Sequence, residues 1–172
     1  MRQLWDIADF ARNVKRRLRF GDFSRAPLRL LRFELCNETI ECDWMTRAAD
    51  PMDAGLPLNI QRDNETRQAL ADAIAVRNLM FDAFPKIDSA VLRGFRQPAR
   101  EPPEMILLGT VSREMPAVHR VSSLVMQTKL YGFCFSLEDG LLGPLHLGDR
   151  SEEFISFGTT QPGQGGISNG SK

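Results

Sequence analysis

Arg77 is the residue whose position most demands a chemical explanation. At helical spacing it falls inside an apolar stripe formed by Leu70, Ile74, Phe81 and Phe84. A guanidinium on a buried face needs a partner, because a buried, unpaired charge is strongly destabilising. Glu41, Asp43 or Asp88 could supply the countercharge, and so could an anionic ligand. Alternatively, the long side chain runs along apolar surface and delivers its charge to water. With Trp44 and Arg47 beside Asp43 in sequence, the set Arg77, Asp43, Trp44 and Arg47 defines a candidate anion pocket for an enzyme or a small-ligand protein.

Three weaker constellations accompany it. Asp43, Asp50 and Asp53 place carboxylates where a hard cation could bind, yet their spacing matches no calcium loop, and Asp-Pro and Asp-Ala-Gly are ordinary turn chemistry. His119 and His146 are the only histidines; a Ser122, Ser123 or Cys134 partner for His119 would have to be arranged by the fold. Arg12, Lys15, Arg16, Arg17 and Arg19 form a basic run followed by Phe20 and Phe23. Phosphate backbones or a membrane surface attract such a run.

Strong motifs are absent. The chain has no GxGxxG, no GxxxxGK[ST], no HExxH and no CxxC. No cofactor or metal is indicated. The 172 residues are 42% hydrophobic and 26% charged with zero net charge, an ordinary globular balance that argues against a nucleic-acid binder. The charge is nevertheless uneven. Residues 2–33 carry nine Arg or Lys against three Asp, and residues 34–65 carry eight acids against two Arg. Folding these segments side by side accounts for the pattern without a partner.

Three cysteines, Cys36, Cys42 and Cys134, make a poor disulfide framework. With no apolar leader and no run of about 18 apolar residues, the expected setting is the cytoplasm, away from the membrane.

The elements that would position these groups follow from periodicity. Residues 3–19 read as an amphipathic helix with Leu4, Ile7, Ala8, Ala11, Val14 and Leu18 on one stripe. Residues 28–46 read as a β-hairpin turning near Glu38 and Thr39, with Leu35 opposite Cys42 and Phe33 opposite Trp44. A loop over 47–62 precedes a helix over 64–84, capped by Asn64 and stopped by Pro85. Strands are expected over 87–96 and 105–112, a helix over 116–130, and a last strand through Phe133, Phe135 and Leu137.

From Ile40 onward this order is that of a ferredoxin-like, split βαβ antiparallel sheet with helices on one face. The apolar run Met105–Leu108 marks a strand covered on both faces. Gly94 and Gly109 signal a bulge or a close approach.

Eight of the 13 glycines fall in residues 140–172. The expected organisation is therefore a basic helix over 1–20, an α+β core over 21–139 and a Gly-rich, largely disordered tail over 140–172, interrupted by the apolar island Phe154–Phe157. The leading functional expectation is a small binding or interaction module that associates with itself as a homodimer or with another protein. Its support is the absence of a catalytic constellation and a sheet that seeks cover on both faces.

Overall fold

The computed structural model describes residues 2–146 except Asn37 and Ala117. It is an α+β fold. α1 (Arg2–Arg17) leads into a hairpin, β1 (Arg29–Cys36) and β2 (Thr39–Met45), followed by α2 (Leu58–Ala83). β3 (Ser89–Arg96) and β4 (Glu104–Ser112) come next, then α3 (Leu124–Leu130), β5 (Phe133–Cys134) and a small hairpin of β6 (Ser136–Glu138) and β7 (Leu141–Gly143).

α1 docks on α2 through Ile7, Phe10, Val14 and Leu18, of which Phe10 is fully buried. Ala8 and Ala11, expected on this stripe, are exposed. The large ring displaces them because it removes far more apolar area from water. Phe10, Phe33 and Phe84 join α1, β1 and the end of α2, with ring centroids 5.3 to 6.0 Å apart.

α2 begins at Leu58, six residues before the expected start, with Pro57 at the capping position. Asn64 is therefore inside the helix, where it donates to Asp53 Oδ2. The apolar repeat hid this first turn and a half because Leu58 and Ile60 face solvent. The expected helix over 116–130 is instead a 3-10 turn at Val118–Arg120 followed by the seven-residue α3, which Ser123 caps through Met126 N. β-branched Val118 and Val121 disfavour one continuous helix.

The five-stranded sheet runs β1-β2-β3-β4-β5. β2 and β3 are parallel neighbours, and the other pairs are antiparallel. The sheet is thus mixed, and it lacks the ferredoxin-like interleaving, which would set another strand between β2 and β3. α2, 26 residues long, carries the chain over and back to lie directly beside β2. The β1–β2 register also differs from expectation by two residues: Leu35 opposes Ile40 and Phe33 opposes Cys42. A shift of two preserves which side chains share a face, so the expected apolar face survives.

Leu30, Phe33, Ile40, Cys42, Trp44, Leu92 and Leu107 belong to the core beneath the helices. Arg32, Glu34, Glu41, Asp43 and Arg93 occupy the other face, linked by ion pairs. Cover on both faces, inferred from Met105–Leu108, is not needed. A bulge pairs Gly94 with Leu107 and Phe95 with Met105, skipping Ile106. Ile106 and Leu107 are consecutive, yet both are buried. Gly109 provides the close approach: a Cβ there would meet the Phe133 ring at 2.6 Å.

The domain continues past residue 139. β7 packs against α2, with Leu142 N donating to Thr66 Oγ1 at 3.2 Å, and Leu145 N reaches Met105 O at 2.8 Å. The rest of the expected tail, including Phe154–Phe157, lies outside the described residues. No helix among the described residues is long and apolar enough to cross a membrane.

Candidate functional site

Where β2 ends, the chain leaves the sheet through Thr46 and Arg47, and Arg47 turns inward. Its Nε donates to Asp72 Oδ2 at 2.7 Å and its Nη2 to Asp72 Oδ1 at 3.0 Å. The remaining N–H groups go to the carbonyls of Leu18 at 2.7 Å, Ala26 at 2.7 Å and Arg19 at 3.5 Å. Gln68, one turn before Asp72, donates to the same carboxylate at 3.0 Å and accepts from the backbone N–H of Phe23 and Ser24. Burial pushes the Asp72 carboxyl up, and the bonds from Arg47 and Gln68 act against that push. All five guanidinium protons of Arg47 are engaged, so it fastens the segment between α1 and β1 and offers nothing to a ligand.

Arg77 is buried in the middle of α2 without a carboxylate partner among the described residues. Its Nη2 donates to the carbonyls of Ser112 and Glu114, and its Nη1 donates to Asn78 Oδ1 at 2.8 Å. The guanidinium carbon lies 4.6 Å from the Tyr131 ring centroid and 5.0 Å from that of Phe81. Arg113 stacks on Phe81 too, at 5.1 Å, while donating to the carbonyls of Phe81, Phe84 and Ile87 at the end of α2. Burial draws the Arg77 pKa down; Tyr131 opposes this and Arg113 adds to it. The side chain is shut off from solvent and anchors the strand end at Ser112–Glu114.

The expected anion pocket does not assemble. Trp44 is fully buried on the core face, its indole Nε1 unpartnered among the described residues. Asp43, its neighbour in the strand, points to the opposite face, where Arg93 Nη1 donates to it and to Glu41, both at 3.0 Å. Arg47 and Arg77 each serve the separate networks above.

The loop carboxylates are also separated. Asp50 accepts from Met52 N at 2.9 Å and Arg25 N at 2.8 Å, which holds its carboxyl below the usual range. Asp53 takes Asn64. Burial pushes the Cys42 thiol up to about 12, so it stays protonated at neutral pH. Cys134 is half-buried, and the side chains of Cys36 and His119 lie outside the described residues.

Arg12, Lys15, Arg16, Arg17 and Arg19 are all exposed on α1 and just after it, away from its docked stripe. Arg12 pairs with Asp9, Arg16 contacts Asn13, and Arg19 stacks on Phe20 at 5.1 Å.

Two features are absent from the sequence reading. The first is a cavity of about 460 Å³ where β2 and β3 end, bounded by α2 and the β6–β7 hairpin. Arg62, Glu65, Glu138 and Asp139 line it, and none of the four side chains has a hydrogen bond or ion pair among the described residues. Burial raises the Glu65 pKa, against the pull of Arg96 and Arg62. Arg96, also in the wall, is already paired with Glu104.

The second is the outer edge of β1, which has β2 on one side and, among the described residues, no strand on the other. Arg32 and Glu34 stand on it about half exposed, and Leu31, bulged out of the β2 register, is 44% exposed. The signal in the sequence is the segment Leu30–Cys36, in which a cation and an anion flank Phe33 and leucines flank both. Comparison with protein-family models, with curated proteins and with solved structures finds no match to this chain.

Proposed function

We propose that this protein is a binding module that associates with a second copy of itself. The observation that carries this reading is the eight-residue strand β1, whose outer row of backbone donors and acceptors has no partner among the described residues. An edge of that length templates another strand. The groups with chemical potential support binding over catalysis: Arg47, Arg77, Arg113 and Asp72 are consumed by internal bonds, and the Cys42 thiol is held protonated. Light scattering on the full chain should give twice the monomer mass of 19.4 kDa at micromolar concentration; a strict monomer up to the highest soluble concentration sinks the reading.

The cavity favours a second reading, a site for a small organic cation. Arg96 and Arg47 are neutralised within the protein, which leaves Arg62 alone against Glu65, Glu138 and Asp139. Buried Ala69, Ile106 and Leu142 would hold the hydrocarbon part. Calorimetric titration with 1,5-diaminopentane and with glutarate, of equal length and opposite charge, tests it: the diamine binds and the dianion does not, or the reading fails.

A further inference from the structure

We infer that two copies join β1 to β1 in antiparallel register about a two-fold axis at Phe33, so that Arg32 of each copy faces Glu34 of the other. This inference rests on the self-association proposed above and adds the surface, the register and the charges that select it.

Three observations point to this pairing. First, the pattern of β1 is self-complementary. Reversing Leu31-Arg32-Phe33-Glu34-Leu35 about its centre sets leucine on leucine, phenylalanine on phenylalanine and arginine on glutamate. An antiparallel two-fold performs that reversal, because an isologous interface opposes each residue to its mirror position. A shift of two residues along the edge loses both ion pairs.

Second, the backbone phase agrees. Cys36 and Thr39 are the pair that closes the hairpin. Hydrogen-bonded and non-hydrogen-bonded pairs alternate along an antiparallel ladder. Counting back from a hydrogen-bonded closing pair, Leu35 and Phe33 direct their N–H and C=O groups away from β2. Phe33 can then exchange both bonds with its own copy across the axis. Arg32 and Glu34 fall at the flanking non-hydrogen-bonded pairs, where Cα atoms are closest and opposed side chains meet most directly.

Third, the charges are ready to be shared. Arg32 and Glu34 of one chain already bond each other, Nε to Oε1 at 2.9 Å, on the helix-free face of the sheet. Rotation of either side chain toward the partner exchanges an intrachain ion pair for an interchain one. The bulge at Leu30–Arg32 limits the regular pairing to the segment around Phe33 and leaves exposed Leu31 to cover the end of the contact.

The test is sedimentation equilibrium on the full chain and three variants, with hydrogen exchange on the parent. Arg32→Glu and Glu34→Arg each put like charges opposite one another twice, by symmetry, and should raise the dimer dissociation constant at least tenfold. The double variant Arg32→Glu/Glu34→Arg restores opposite charges at both places and should bring the constant back to within about threefold of the parent. The Phe33 amide should be protected at high concentration and lose protection on dilution.

Both side chains are exposed, so the variants should keep the parent's circular dichroism. A monomeric parent overturns the association reading and this inference together, including the case in which removing residues 147–172 turns it into a dimer, since the occupant of the edge is then the chain's own tail. A dimeric parent with an unprotected Phe33 amide, or with a double variant as weak as the singles, keeps the association and overturns the register.

Discussion

Arg47 and Arg77 are both buried and both charged, and the protein handles them in opposite ways. Arg47 has a carboxylate in bidentate contact and three carbonyls around it. Among the described residues Arg77 has no carboxylate and its Nε has no partner; carbonyls and two aromatic faces surround it. The first solution is an ion pair whose breakage leaves a full charge behind. The second spreads a cation over dipoles and ring quadrupoles, so no single neighbour is indispensable.

The sharpest test of that difference is Asp72→Asn, which strands Arg47 without a countercharge. It should cost about 3–5 kcal/mol in urea denaturation. Arg77→Met removes the cation together with its desolvation cost and frees the carbonyls of Ser112 and Glu114; the expected loss is about 1–3 kcal/mol. If Arg77→Met proves the more damaging of the two, the contrast between the arginines is wrong. Tyr131→Leu should cost about 0.5–2 kcal/mol beyond lost packing. Combined with Arg77→Met it should be less than additive, since both changes remove one contact.

The smallest effect is an acid one beside the Arg47 network. Backbone N–H groups of Met52 and Arg25 lower the Asp50 pKa in the folded state. A lowered folded value stabilises above the unfolded pKa, about 4, and that contribution is lost as pH falls through the folded value. Asp50→Asn should therefore flatten the stability profile on the acid side of pH 4 and leave its shape near pH 7 unchanged.

The sequence exposed the conflict at Arg77 because its apolar neighbours recur at 3.6 residues, but not the resolution. Carbonyls that accept a guanidinium belong to any residue type, so Ser112 and Glu114 carry no mark of the role. Asp72 was legible in principle as a lone acid among Ala69, Ala73 and Val76. Its partner Arg47, 25 residues earlier and beyond a strand end, follows no local period.

The strands β1 to β4, α1 and the body of α2 follow their periodicities closely. The sheet order does not, because it depends on where α2 delivers the chain. The start of α2 failed for a related reason: a turn whose apolar residues face water gives hydrophobic periodicity nothing to detect. The β1 edge was visible as a hairpin strand, yet the sheet order was needed to show that it is terminal.

The other margin of the sheet, β5, is two residues long and pressed against Gly109. A pair of chains joined through β1 would therefore have these stubs as the outermost strands of its sheet among the described residues. A third chain would meet a two-residue strand there where the first two met an eight-residue one, so growth beyond two would be disfavoured. In that pairing, a long free edge at one side and a two-residue strand at the other would make the stoichiometry finite and would spare the protein the open-ended stacking that leads to fibres.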